Sequence, residues 1–117
     1  MTFYDKNGKA CCYADDFVHI YDFNGEPLGY ISNSRIWNYS GRYLGLFRNG
    51  WIIDGRGNHL LFSESATGGP QRPLRSLSPL KGLKKLRPLK SVREVAPVAP
   101  VSSLNWSNSN YLKFFKG

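Results

Sequence analysis

Cysteine is almost missing from this chain, and the two that occur, Cys11 and Cys12, are neighbours. Adjacent residues on a strand point to opposite faces, so the pair is badly placed to bridge or to share a metal. Plain packing as reduced thiols is the expected role, with no metal and no cofactor. Long apolar runs are missing too. Nothing approaches the roughly 20 residues that a membrane-crossing helix needs. The first residues, Met1 to Lys6, already belong to the repeat described below, which leaves no room for a signal peptide. A cytoplasmic location is the expectation. Acidic residues are scarce in one half only. Residues 1–64 carry six Lys/Arg against seven Asp/Glu, a net of −1, whereas residues 65–117 carry ten against Glu94 alone, a net of +9. The body is neutral and the tail holds the basicity that makes the chain +8 overall.

What is present is repetition. Phe3-Tyr4-Asp5-Lys6-Asn7-Gly8 returns as Ile20-Tyr21-Asp22-Phe23-Asn24-Gly25, then Ile36-Trp37-Asn38-Tyr39-Ser40-Gly41, then Ile52-Ile53-Asp54-Gly55-Arg56-Gly57. The glycines lie 17, 16 and 16 residues apart. Three residues after each comes Cys11, Leu28, Leu44 or Leu60, and two further on Tyr13, Tyr30, Leu46 or Phe62. That alternation has the period of a strand with one buried face. Asp at the first turn position accepts hydrogen bonds from the turn's own backbone, and Gly at the fourth takes φ > 0 without steric cost. Each unit therefore predicts strand, tight turn, strand. The joints Asp15-Asp16, Asn33-Ser34 and Asn49-Gly50 predict turns between units.

Four hairpins give about eight short strands, and an open row of them would leave two unpaired edges. Bringing the fourth hairpin round to the first removes both, so the reading is an all-β body of four hairpins closed with pseudo-fourfold symmetry. The aligned turns resemble the four-fold beta-flower domain of bacterial proteins over roughly residues 1–65. The resemblance implies a pseudo-fourfold β fold and carries no active-site motif. The aromatic-Asp-x-x-Gly pattern is also similar to the tyrosine–aspartate repeats of bacterial toxin shells, whose arrays are much longer.

Residues 66–101 form a second region, basic and rich in Leu and Pro. Leu74, Leu77, Leu80, Leu83, Leu86, Leu89 and Val92 recur every third residue. Neither helix nor strand has that period, but polyproline II does. Pro73, Pro79 and Pro88 disfavour a continuous α-helix. We read an extended polyproline-like tail with a leucine ridge on one edge and Lys/Arg on the other two. The ridge either wraps the body, lies in a partner's groove or stays partly loose; a small body has few apolar positions to bury, which favours wrapping with the leucines packed on its β surface. Residues 102–117 are aromatic again, with Trp106, Tyr111, Phe114 and Phe115, and predict an anchor with a short helical turn capped by Ser107 or Asn108. Val95 to Val101 reads as a stiff spacer.

Candidate chemistry is sparse. Asp5, Asp22 and Asp54, with Asn38 in the fourth place, could ring the axis as a cation or acid–base site. Turn stabilisation explains them better, because Asn keeps that role and loses the charge. His19, His59, Asp15, Asp16 and Ser63 have neither the spacing nor the elbow of a nucleophile triad. Gly55-Arg56-Gly57 lacks the strand–helix context of a phosphate loop. The concentrated charge is Lys81, Lys84, Lys85, Arg87, Lys90 and Arg93. Arg42, Tyr43, Arg48, Arg56, His59 and Pro27 stand where the repeats differ chemically. All but Pro27 are the candidate partner-binding residues. The leading expectation is a non-enzymatic binding or scaffold module for a protein partner. The alternative is electrostatic binding of nucleic acid or anionic membrane through the tail, and an enzyme with a site at the axis comes third. No feature of the sequence sets an oligomeric state.

Overall fold

The computed structural model describes all 117 residues. Eight strands follow in order: β1 (Thr2–Tyr4), β2 (Ala10–Tyr13), β3 (His19–Asp22), β4 (Pro27–Ser32), β5 (Arg35–Trp37), β6 (Tyr43–Arg48), β7 (Trp51–Asp54) and β8 (His59–Ser63). Each is antiparallel to its chain neighbour, and β1 pairs with β8 through Phe3↔Ser63 and Tyr4↔Phe62. The sheet is a closed barrel without an edge. Two near-equal long dimensions and one short, 37 × 36 × 21 Å, give the molecule the shape of a disc.

The four Asp-x-x-Gly turns are copies of one another. Oδ1 of Asp5 accepts from the N–H groups of Asn7 and Lys9, at 2.9 and 3.0 Å. Asp22, Asn38 and Asp54 accept from the same two positions of their own turns. The Gly N–H then donates back to the Asp or Asn carbonyl, and every one of these glycines has φ between +80° and +88°. In each hairpin the ladder shifts register at the same place, after Phe3, Ile20, Ile36 and Ile52. These four side chains are fully buried and meet in the central core.

The centre is completed from the far end of the chain. Helix α1 (Tyr111–Lys116) inserts Phe114 and Phe115 into the same core cluster. Room for them exists where the repeat has glycine, since a Cβ at Gly29 would sit 3.2 Å from the Phe115 ring and one at Gly45 3.2 Å from the Phe114 ring. The equivalent positions in the other two repeats are Cys12 and Leu61, both fully buried. The helix cap is Asn110, whose side chain accepts from the Lys113 N–H at 3.0 Å. Ser107 and Asn108 are therefore not the cap. Ser107 instead donates from its N–H to the His59 carbonyl and from its hydroxyl to Asp54.

A strap in register with the hairpins

Between the barrel and α1 the chain makes a circuit of the four turns. A Cβ added at Gly8 would lie 2.0 Å from the carbonyl oxygen of Leu74. At Gly25 the obstacle is Leu83, at 1.9 Å; at Gly41 it is Val92, at 2.1 Å; at Gly57 it is Val101, at 2.4 Å. The turn glycines are thus required twice, by their left-handed backbone and by the strap lying against them. Backbone bonds repeat with the same step. The N–H groups of Ser76, Lys85, Glu94 and Ser103 donate to the carbonyls of Gly8, Gly25, Gly41 and Gly57. Each contact comes nine residues after the last, so the strap is itself a repeat, of nine residues, matched one unit to one hairpin. Pro70, Pro79, Pro88 and Pro97 mark the same step.

Within each unit the cations face the barrel. Arg75 lies over Tyr4, Lys84 over Tyr21 and Arg93 over Trp37, at 5.7, 5.3 and 5.2 Å. A second series sets Lys81 over Tyr13 and Lys90 over Tyr30, at 4.5 and 4.4 Å, and begins with Arg72, which lies 5.9 Å from Trp51, a ring outside the repeat position that Tyr13 and Tyr30 share. Both series step by nine. In the fourth unit they continue as Ser102 and Ala99, and there the barrel's matching repeat positions hold Ile53 and Leu46 instead of aromatic residues. Cation and ring are lost together.

The expectation for the leucines is overturned. Leu74, Leu77, Leu80, Leu83, Leu86, Leu89, Val92, Val95, Val98 and Val101 are 92–96% exposed. The strap wraps the body with its polar faces inward and its apolar edge outward. The barrel's rim presents tyrosines, tryptophan and free turn carbonyls, and guanidinium, ammonium and N–H groups complement these better than a methyl group does.

The sequence-selected residues divide accordingly. Lys81 and Lys84 also pair with Asp15, at 2.8 and 3.0 Å, and their hydrogen bonds hold the Asp15 carboxyl below its ordinary value. Lys85 pairs with Glu26. Lys90 and Arg93 cover rings as described, and Arg87 makes no hydrogen bond or ion pair. The symmetry-breaking residues do not form one site. Arg42 lies beside Gly117 at the end of α1. The Tyr43 N–H donates to Glu94 at 2.7 Å, and Arg48 reaches Ser102 at 3.5 Å. The Arg56 N–H is spent on its own turn. Buried His59 packs edge-on to Trp51 and pairs with Trp106 across an added backbone bridge. Burial holds its ring below the ordinary histidine pKa. Arg72, Arg75 and the outward direction of the apolar edge were not selected; the nine-residue recurrence of the cations was the available signal.

No nucleophile accompanies the acid–histidine pair Asp16–His19, which is joined at 2.6 Å, and Ser63 Oγ bonds to Ser65. A cavity of about 270 Å³ lies between the first turn and the segment entering α1, lined by Asp5, Asn7, Trp106 and Tyr111 among others. The Asp5 carboxylate there is already engaged by its turn and by Cys11. No helix of the structure is long and apolar enough to cross a membrane.

No curated protein and no solved structure matches the chain. The family model described as 4-fold beta flower protein matches residues 1–115, so strap and helix fall inside the matched stretch along with the barrel. Four equivalent hairpins, closed on themselves and bound by one continuous strap, place this chain in the 4-fold beta flower family.

Proposed function

We propose that this protein is a non-enzymatic binding module whose contact surface is the apolar edge of the strap, and that a protein covers it. The observation carrying this reading is the row of ten outward aliphatic side chains. Burying each would be worth about 1.5–3 kcal/mol. An isolated chain forgoes that gain at every one of the ten, and patches of this extent mark interaction surfaces. A polyproline II path suits the same arrangement. Nine residues at about 3.1 Å each cover roughly 28 Å, about a quarter of the way round a disc 36–37 Å wide. The barrel is then the former on which the ridge is displayed, and a cytoplasmic setting belongs to the same proposal.

Electrostatic capture of nucleic acid or anionic membrane has less support, because most of the strap's cations lie on rings or carboxylates of their own barrel. The test uses a photoreactive residue at Leu83 in the cell. It should yield a discrete cross-linked protein that disappears when Leu77, Leu80, Leu86 and Leu89 are together replaced by glutamine. A cross-link indifferent to those four changes would refute the reading.

A further inference from the structure

We infer that the protein covering the ridge is a second copy of this chain. The inference rests on the binding reading above and adds the identity of the partner. Its first support is spacing. An outward side chain stands at every third residue from Leu74 to Val101 without interruption, about 9 Å apart if the strap rises as polyproline II does. Gaps of that width admit one aliphatic side chain from an opposing row. The surface certain to carry the same step, the same curvature and the same length is the ridge of another copy. Self-complementary patches of this kind give closed twofold assemblies.

Area points the same way. Each aliphatic side chain offers on the order of 60–120 Å² of removable apolar surface, so the ten offer roughly 600–1,200 Å². Stable complexes bury about 800 Å² per partner. The whole ridge reaches that size, whereas the three or four side chains along one quarter of the disc do not. Two ridges laid along one another bury enough for a stable pair, and each then covers the other's apolar edge, so the product is a dimer instead of an open chain of discs.

Charge sets the salt dependence. The row itself is uncharged, and Lys81, Lys84 and Lys85 are paired with carboxylates of their own barrel. Two chains of net +8 still repel, and raising salt shortens the Debye length from about 10 Å at 0.1 M to 3 Å at 1 M. Self-association should tighten with salt. Binding to nucleic acid or anionic lipid would weaken.

Sedimentation equilibrium of the full chain at low and high salt tests this, with phosphatidylserine–phosphatidylcholine vesicles as a second arm. The expected species has twice the 13.3 kDa chain mass and dissociates more weakly at high salt. The Leu77→Gln, Leu80→Gln, Leu86→Gln, Leu89→Gln variant should raise the dissociation constant by at least tenfold (roughly 1.4 kcal/mol). The milder Val95→Gln, Val98→Gln pair should do so in part, and guards against misfolding of the fourfold variant. A monomer throughout, a dimer unmoved by either variant, an open ladder of larger species, or monomers that go to the vesicles would each overturn the inference. A monomer that still cross-links through position 83 to a different protein rejects the second copy alone. A monomer that cross-links to nothing rejects the binding reading as well.

Discussion

Asn38 shows how a departure from a repeat can be necessary. Its Oδ1 serves the turn as the aspartates do, while its Nδ2 donates to the Phe115 carbonyl at 3.3 Å, at the end of α1. An aspartate there would keep the turn and set a carboxylate against a carbonyl oxygen in a buried site. Asn38→Asp should cost about 1–3 kcal/mol in urea unfolding. Asp22→Asn retains both turn bonds and should change stability by less than about 0.5 kcal/mol. His59 supplies a pH dependence. Its buried ring is held neutral, so below the ordinary histidine value of about 6.5 the unfolded chain takes a proton before the folded one does. Stability should fall from there down to the lowered folded pKa, and His59→Gln should flatten that stretch of the urea midpoint plotted against pH. The Asp15 contribution belongs to a different window, below about 4, where acid removes the charge that Lys81 and Lys84 stabilise. Cys11, pushed up to about 12 by burial and then by Asp5, and Cys12, pushed up by burial, should resist a thiol reagent at neutral pH until the protein unfolds.

Among the elements, the strap's phase is the quantity to perturb. One residue inserted between Pro79 and Leu80 rotates every later face and carries Lys84, Lys85 and Arg93 off their partners. Limited proteolysis should then cut the strap quickly beyond Lys81, whereas an insertion between Gly68 and Gly69, ahead of the first turn contact, should leave it protected. Phe114→Ala or Phe115→Ala removes a ring from the central cluster and should cost about 3–5 kcal/mol. The hairpins were legible from the chain because turn chemistry and period-two alternation are local. Closure was legible because four equal units leave no other use for two edges. The strap was legible only in part. Its period of three appears in the leucines, but which edge faces inward depends on what the barrel rim presents. The rim's aromatic residues, Tyr4, Tyr13, Tyr21, Tyr30 and Trp37, read in sequence as ordinary strand residues. The cap at Asn110 and the glycines cleared for Phe114 and Phe115 follow from long-range packing that no local pattern carries.

For the molecule as a whole, the barrel buries its leucines in the usual way while the strap turns its own outward, and that reversal along the strap is the claim from which the binding surface follows. The most direct test sets two triple variants side by side in urea unfolding. Replacing the outward Leu77, Leu80 and Leu86 by serine should move stability by no more than about 0.5 kcal/mol per site. Replacing the inward Arg75, Lys84 and Arg93 by serine should lose about 0.5–1 kcal/mol per cation–ring contact, with faster proteolysis of the strap. The comparison belongs at a dilution where the chain is monomeric. If the leucine variant instead lost about 2–5 kcal/mol per site, as buried aliphatic side chains do, while the cation variant was unchanged, the ridge would lie against the barrel and the account would be wrong.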